Sequence, residues 1–538
     1  MKEKADLILF NGQVWTVNPI KPWAEAVAVA KGRILEVGSS GKIKKLAGPT
    51  TKYIDLQGRF LLPGLTDAHT HFIDGGFFLS GLDLRGVKSR KEFVAKVKEK
   101  AKEIGEGKWI LHGNWDHHQF KPPCLPNKEW IDDITSSNPV CLNRIDGHLA
   151  LANSLALKIA GINKDTPSPP GGEIVKAPQT GEPTGILKDA ALDLLKLHIP
   201  QPSLKEKINA AQAALKKANE VGLTAIHDMG SSSNLEVYRT LWQQNKLTAR
   251  ICLYLPITEV SHLSSLQLPL MSDNDFLKVG GFKGFIDGSL GSETALFFEP
   301  YVDNPAHKGL FHSQMLPEGI MARRILEADK AGLQVAIHAI GDRANHVLLD
   351  IFENIQISNP IRDRRWRCEH AQHLIPEDMT RMAKLGVIAS VQPYHLVEDG
   401  CWAEKKIGRK RCQTSYAYKS LLDQGIRLLG GSDWPVAPLN PLTGIYAAVS
   451  RQTLNGKNPA GWFPEQKISV EEAIKAYTIN GAYAEFMEEE RGSIEKGKLA
   501  DLVVLEQNLF HLPVEALSQV AVRMTIVNGK IVFSRHRV

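Results

Sequence analysis

A chain of 538 residues, 43% hydrophobic and 23% charged, is too long for one ordinary domain and has the make-up of a folded protein rather than a disordered one. Its 65 basic against 59 acidic side chains leave a formal charge of only +6, too thin a spread for a dedicated nucleic-acid binder, and no stretch nears the ~18 uninterrupted apolar residues of a membrane span. Six cysteines without a C-x-x-C pair, and a start (MKEKADLILFNG) lacking an apolar signal core, predict a reducing, cytoplasmic setting.

At the start, LILFNGQVWTV and EAVAVAKGRILEVG alternate apolar and polar residues around Asn11-Gly12 and Lys31-Gly32, a pattern of short strands joined by tight turns. The same style returns in LADLVVLEQN and VRMTIVNGKIVF, where Asn528-Gly529 predicts a hairpin. Two β-rich ends around a different middle predict one discontinuous β-sandwich, residues 1–60 with 485–538.

The middle, 61–484, holds eight apolar segments that read as strands: 60–72, 223–228, 250–256, 281–287, 334–342, 365–373, 387–395 and 427–434. Between them, segments such as 204–222 and 318–332 carry apolar residues at helical spacing and stop at Gly222 and Gly332. Strands alternating with helices, eight times over, predict an α/β fold of the (β/α)8 TIM-barrel type. The gap after the first strand is far longer than a βα connection needs and predicts an inserted subdomain at about 80–205, with turns and short hairpins in its Pro/Gly-rich stretch 165–185. The basic run KKIGRKR, 405–411, reads as a solvated surface segment.

The chemistry sits where strands end. His69 and His71 are one residue apart in the first strand, so both imidazoles point to one face, about 7 Å apart along the backbone, and can converge on one metal ion. His338 follows QVAI, His370 closes RWRCEH and Asp433 follows LLGGS, each at the C-terminal end of a predicted strand, the rim where barrel enzymes keep their active sites. Taken singly, a histidine after an apolar run is more often a hydrogen-bonded core residue. Lys283 lies within the apolar strand GFKGFID, where an ammonium is costly. Either its head pairs with Asp287, or it is modified by carbon dioxide to a carbamate whose oxygens bridge two metals.

These residues reach a family. LPGLTDAHTH, GFKGFIDGSLGS, AIHAIGD, EHAQH, SVQP and GSDWPV, together with NRIDGHLALANSLAL and the closing GSIEKGKLADLVVLE, resemble the amidohydrolase superfamily, and within it the YtcJ-like branch, amidohydrolase family 3, which includes N-substituted formamide deformylases and plant proteins of the long-after-far-red type. The resemblance implies a barrel with a β-sandwich made by both termini. It implies metal ligands at His69, His71, Lys283, His338, His370 and Asp433, with one or two divalent ions, zinc first among them, and N6-carboxylation of Lys283. It further implies Asp433 as the general base that takes a proton from a metal-activated water and returns it to the leaving amine.

For the substrate, a small amide-like molecule, the sequence offers Trp115, Asp116, His118, Asp146, His148, Ser289, His373, Gln392, His395 and Trp434, although Asp146 and His148 read equally well as braces between insertion and barrel. Two other readings stay open. One is a superfamily deaminase acting on a ring amidine, for which the glutamate that such enzymes place after the fifth-strand histidine is missing, with Asp342 as the one stand-in. The other is a non-catalytic signalling or scaffold relative. No nucleic-acid or membrane partner is expected, and a homodimer is the default assembly.

Overall fold

The computed structural model describes residues 3–262 and 275–535; the outermost residues of the two terminal stretches, 1–2 and 536–538, lie outside it. Eight parallel strands form one sheet in sequential order: β1 Leu65–Thr70, β2 Leu223–Asp228, β3 Arg250–Pro256, β4 Leu277–Phe285, β5 Gln334–Ala339, β6 Arg367–His370, β7 Ile388–Val391 and β8 Leu428–Gly430. The two ends of the sheet meet. Thr70 bridges Trp434 in parallel register, Asp433 N donates to His69 O at 2.7 Å, and His71 N donates to Trp434 O at 2.8 Å. A Cβ on Gly431 would lie 2.8 Å from His69 Cβ, so the seam can close only over a glycine.

Most of these strands are buried along their whole length, as parallel strands covered on both faces must be. Their interior departs from the branched apolar layers of an ordinary barrel. Asp67, His69, His227, Lys283, Arg367 and Glu369 are all at most 4% exposed. Hydrogen bonds from β6 to β1 and β2, strands that are not neighbours, cross the lumen between these groups.

The expected first strand, 60–72, is two strands in two sheets. Phe60–Pro63 pairs with Gln13–Trp15 and Leu502–Leu505, whereas Leu65–Thr70 joins the barrel. The break falls at Gly64, where a Cβ would stand 2.2 Å from Thr224 Oγ1 on β2. Other expected strands end early where the backbone turns left-handed: β6 at His370 and Ala371, with φ of 73° and 45°, and β8 before Asp433, with φ of 60°. Such φ values are rare for residues other than glycine and cluster at functional sites.

Outside the barrel, a four-stranded sheet (Arg33–Gly38, Ala26–Ala30, Ala5–Phe10, Ala47–Asp55) faces a six-stranded one (Lys530–Ser534, Val522–Val527, Leu502–Leu505, Phe60–Pro63, Gln13–Trp15, Trp23–Ala24). Leu7, Leu9 and Val27 of the first share a core with Val14, Leu61, Val504 and Ile526 of the second. Lys31-Gly32 and Asn528-Gly529 are hairpin turns with positive φ at both residues. Asn11-Gly12 instead carries the chain from one sheet to the other.

Between β1 and β2 a third sheet (Gly172–Lys176, Pro183–Asp189, Leu149–Ala152, Val140–Arg144, Ile110–Trp115, Leu82–Asp83) has its own core around Phe93, Trp115, Leu142 and Leu151. Its first two strands are the antiparallel hairpin of the Pro/Gly-rich stretch. The helix Leu204–Glu220 that returns the chain to β2 opens on a Ser203/Glu206 capping box and is followed by Gly222 at φ 85°. The basic run 405–411 is not a free surface segment: it lies in the helix Ala403–Cys412, where Lys406 pairs with Glu293 and, at 2.7 Å, with Asp303, while Arg411 donates to Pro300 O at 2.8 Å. Among the described residues no helix is long and apolar enough to cross a membrane.

Glu485, in the segment after the last barrel-flanking helix, is 7% exposed and accepts from His227 Nε2 of β2 at 2.5 Å and from Arg491. Burial pushes its carboxyl up, but Arg491 and His227 prevail and hold it down to about 2. Two outcomes follow. Gly64→Ala is expected to lower unfolding stability by about 1–3 kcal/mol through overpacking against Thr224, read as a reduced urea midpoint at unchanged slope; an unshifted midpoint would mean that the junction relaxes freely. Because the folded pKa of Glu485 lies below its ordinary 4.5, the stabilisation by its ion pairs is complete above that pH and drains away as pH falls toward about 2. Unfolding free energies of the wild type and Glu485→Gln from urea titrations should therefore differ by on the order of 1–3 kcal/mol at pH 7, draw together below the ordinary 4.5 and converge only near pH 2.

Candidate metal centre

The rim of the barrel gathers every histidine and carboxylate singled out from the strand ends. β1 stops at Thr70, so His71 begins the helix Phe72–Ser80 rather than extending the strand, yet both imidazoles reach the same oxygen. His69 Nε2 lies 3.5 Å and His71 Nε2 3.4 Å from Asp433 Oδ1. His395 Nε2 stands 3.8 Å from the other oxygen, Oδ2. The His370 ring lies 5.0 Å from that of His69 and 4.5 Å from that of His338. The donor atoms of His69, His71 and Asp433 lie within 4.8 Å of one another, and so do those of His370, His395 and Asp433. Two three-residue groups thus share one carboxylate.

Several of these atoms are buried without a hydrogen-bond partner among the described residues: His69 Nε2, Lys283 Nζ, His370 Nδ1, His395 Nε2 and Asp433 Oδ1. Each such group ordinarily costs about 1–3 kcal/mol. Their concentration at one place is what a cation bound among them would relieve, and imidazole nitrogens with a carboxylate oxygen are a donor set suited to a divalent first-row metal. Lys283 does not pair with Asp287. That carboxylate instead accepts from Leu296 N at 2.8 Å, Ile340 N at 3.0 Å and Gly341 N at 2.9 Å, tying β4 to the loop after β5, while Lys283 Nζ sits 4.3 Å above the Phe285 ring.

At His71 burial is outweighed by the Asp433 carboxylate, which shifts the imidazole up; at the other rings the protonation states suit ligation. Burial, then the Lys283 charge, pulls His69 down to about 4. Burial, with the neighbouring His148 and Lys283, keeps His338 well below the usual range, and burial with His338 and His69 does the same for His370. These rings are neutral at pH 7, the form that binds metal. Burial opposes ionisation of Asp433, yet the His69 and His71 imidazoles hold its carboxyl far below the ordinary carboxylate range. Burial brings Lys283 down to about 8 against the pull of Glu369 and Asp433. His338 donates from Nε2 to Gly288 O at 3.0 Å, which leaves the lone pair of the ring on Nδ1.

Of the residues offered as substrate contacts, the insertion contributes some and withdraws others. Trp115 is not in the site: its indole donates to Leu142 O at 2.7 Å and is fully enclosed in the insertion core. Trp434 packs under Phe72 and Gly75, and its contribution is the backbone oxygen at the barrel seam. Asp116 and His118 are held by Arg144, whose Nη2 lies 3.0 Å from each, and Asp146 takes Arg144 Nη1 at 2.7 Å while accepting from Ser289 across the interface. The group Asp116, His117 and His118 has metal-like spacing, but that guanidinium already occupies it. His148 pairs with Asp189 at 2.6 Å, and its ring lies 5.3 Å from that of His338, so the insertion reaches the centre itself. His373 pairs with Ser415 Oγ at 2.6 Å, and Gln392 donates to Ser390 O at 3.1 Å; each keeps one buried polar atom without a partner among the described residues.

Two carboxylates escaped the sequence reading. Glu369 Oε2 accepts from His69 Nδ1 at 2.5 Å, and Asp67 Oδ1 accepts from Ser432 N at 2.9 Å and His69 N at 3.2 Å. The available signal was their setting: an acid inside a strand read as buried needs a partner.

The chain resembles known proteins over nearly its full length. Residues 52–533 match the model of a family described as "Amidohydrolase family". It is 44% identical over 517 residues to the protein LONG AFTER FAR-RED 3 of Arabidopsis thaliana, covering 94% of this chain and 88% of the relative. It is 33% identical over 535 residues to the putative amidohydrolase YtcJ of Bacillus subtilis (strain 168), covering 98% and 99% of the two chains. To an N-substituted formamide deformylase of Arthrobacter pascens it is 28% identical over 555 residues, covering 99% of each. Among solved structures, an uncharacterized metal-dependent hydrolase from Pyrococcus furiosus aligns with a TM-score of 0.73 at 29% identity, over 93% of this chain and 99% of that one.

If the unpartnered donors form one cation site, protein stripped with a chelator should melt at a lower temperature and regain its Tm when zinc is added, by about 2.7 kcal/mol at a hundredfold excess over Kd. Asp433→Ala should weaken that response, whereas Asp116→Ala should leave it intact, as scanning calorimetry would register.

Proposed function

The chain belongs to the amidohydrolase family, and on that premise we propose that this metal-dependent hydrolase cleaves the carbon–nitrogen bond of a small amide-like substrate, an N-formyl or N-acyl amine. The observation that carries the reading is the pair of donor groups sharing Asp433, with His69, His71 and Asp433 on one side and His370, His395 and Asp433 on the other. The relative named an N-substituted formamide deformylase supports the substrate class.

In this reading His69, His71, Lys283, His338, His370 and Asp433 hold one or two divalent ions, zinc foremost. When bound, the ion supplies Lewis acidity, polarising a carbonyl and acidifying water. Asp433 contributes the base: ionised, and with Oδ1 free of hydrogen bonds among the described residues, it takes the proton of the attacking water and returns it to the departing amine nitrogen. Lys283 supports carboxylation by its chemistry. Held near 8, it keeps a fraction of neutral amine at pH 7, and that amine adds to carbon dioxide to form a carbamate and release a proton.

The deaminase alternative is disfavoured by one contact. Asp342, the stand-in for the missing glutamate, accepts from Phe298 N at 2.9 Å and serves to anchor the loop after β4. The proposed partner is the small substrate alone, in a cytoplasmic, dimeric enzyme.

Asp433→Asn is expected to reduce kcat on an N-formyl or N-acyl amine by about 10²–10⁴-fold, measured by amine release, while elemental analysis still finds metal. Ammonia release from aminated heterocycles in place of amide cleavage would favour the deaminase, and a native protein that carries no metal and cleaves nothing would favour the scaffold.

A further inference from the structure

The barrel axis contains an unbroken run of hydrogen bonds between charged groups. Starting at the metal-facing rim, His69 Nδ1 meets Glu369 Oε2 at 2.5 Å. Glu369 Oε1 accepts from Arg367 Nε at 2.6 Å. Arg367 also reaches His227 Nδ1 through Nη1 at 2.8 Å, and Ala68 O at 2.5 Å and Ser390 Oγ at 3.0 Å through Nη2. His227 Nε2 meets Glu485 Oε1 at 2.5 Å, and Arg491 pairs with the same oxygen. Arg491 Nη1 returns to Thr66 Oγ1 of β1 at 3.1 Å. His69, His227, Arg367 and Glu369 are 0% exposed, Arg491 2% and Glu485 7%.

Arginine has five donors and no acceptor, and an ionised carboxylate only accepts. Those facts fix every proton in the run. Arg367 must donate to His227 Nδ1, so the His227 proton is on Nε2 and goes to Glu485. Glu369, already accepting from Arg367, must also accept from His69, so the His69 proton is on Nδ1. The lone pair of His69 is then on Nε2, the nitrogen 3.5 Å from Asp433 Oδ1. The arrangement reaches from the centre to the segment 485–491, which follows the barrel and leads into the terminal sheets.

We propose that Glu369 is a positioning residue for His69, set in place through Arg367 and His227 by Glu485, so that the tautomer and aim of an imidazole at the metal centre are determined partly from the opposite end of the barrel. The proposal rests on the reading of His69 and Asp433 as metal ligands. It assigns to Glu369 the orientation of a ligand rather than contact with substrate, and such partners of metal-binding histidines typically change metal affinity by 10–100-fold when lost.

The test uses full-length protein stripped of metal, titrated with zinc against a chromophoric chelator, with circular dichroism as the check on folding. Glu369→Gln should weaken zinc affinity by roughly 10–100-fold, and Glu485→Gln, at the far end, should weaken it in the same direction by less. Because Glu369→Gln strands the Arg367 charge, the double variant Glu369→Gln/Arg367→Met is measured alongside and should show the same loss in a folded protein. Imidazole ¹⁵N shifts of the metal-free protein, with His69 assigned by subtraction of a His69→Gln spectrum, should place the wild-type proton on Nδ1 and show that preference lost in the Glu369 variants. Wild-type zinc affinity retained in both folded Glu369 variants, or a His69 proton on Nε2, overturns the proposal. A wild type that binds no zinc fails the metal-centre reading instead, a result separable from the first because the tautomer is read without metal.

Discussion

The seam between the eighth and first strands is the constraint on which the site depends. Asp433 N donates to His69 O, and His71 N to Trp434 O, so the backbone bonds that close the ring also set the last strand's carboxylate beside the first strand's imidazoles. Without closure those residues belong to opposite edges of an open sheet. Gly431 permits the approach, and the left-handed backbone at Asp433 turns its side chain inward once the strand has ended. The same turn recurs at His370 on β6. A parallel barrel brings all its strand ends to one rim, and here two of those ends are bent toward the centre at a conformational cost that ligation can offset.

Beneath the rim, the barrel keeps charge where packed folds keep branched carbons. Buried ions are tolerated when paired, and every charged group in the run from His69 to Arg491 has an opposite or hydrogen-bonding partner. Five donor atoms unpartnered among the described residues lie above it, at the centre, where a cation would complete them. The paired run below and the cluster of unpartnered donors above divide the interior into a scaffold and a site. The insertion adds the third side. Asp146 binds Ser289, Asn114 Nδ2 donates to Pro435 O at 2.7 Å, and His118 stacks on Trp402 with centroids 4.4 Å apart, so the inserted sheet is fastened to the loops that follow β4, β7 and β8.

Much of this was legible in the sequence because strand ends announce themselves. An apolar run that stops at a histidine or aspartate is a local signal, and barrel geometry converts local signals into one shared rim; His69, His338, His370 and Asp433 were singled out in that way, and the structure gathers them at that rim. Lys283 was legible as an anomaly, a cation inside an apolar strand. What remained hidden depends on partners remote in sequence. Glu369 meets a histidine 300 positions away, and Lys406 a glutamate 113 positions away, so neither an orienting carboxylate nor a clamped basic run can be told from an unattached one. The split of 60–72 into two strands was missed because both halves are extended and continuous in sequence across Pro63-Gly64, and the reason for the break is Thr224 on a neighbouring strand. Trp115 failed for a related reason: beside a histidine-rich motif, an indole in a core and an indole in a pocket read alike.

The central claim is that these side chains converge on a cation, and diffraction answers it most directly. Crystals grown with zinc and measured on both sides of the zinc absorption edge should give an anomalous peak bounded by His69 Nε2, His71 Nε2 and Asp433 Oδ1. A peak only at Asp116, His117 and His118, or at no cluster of the barrel rim, would contradict the account.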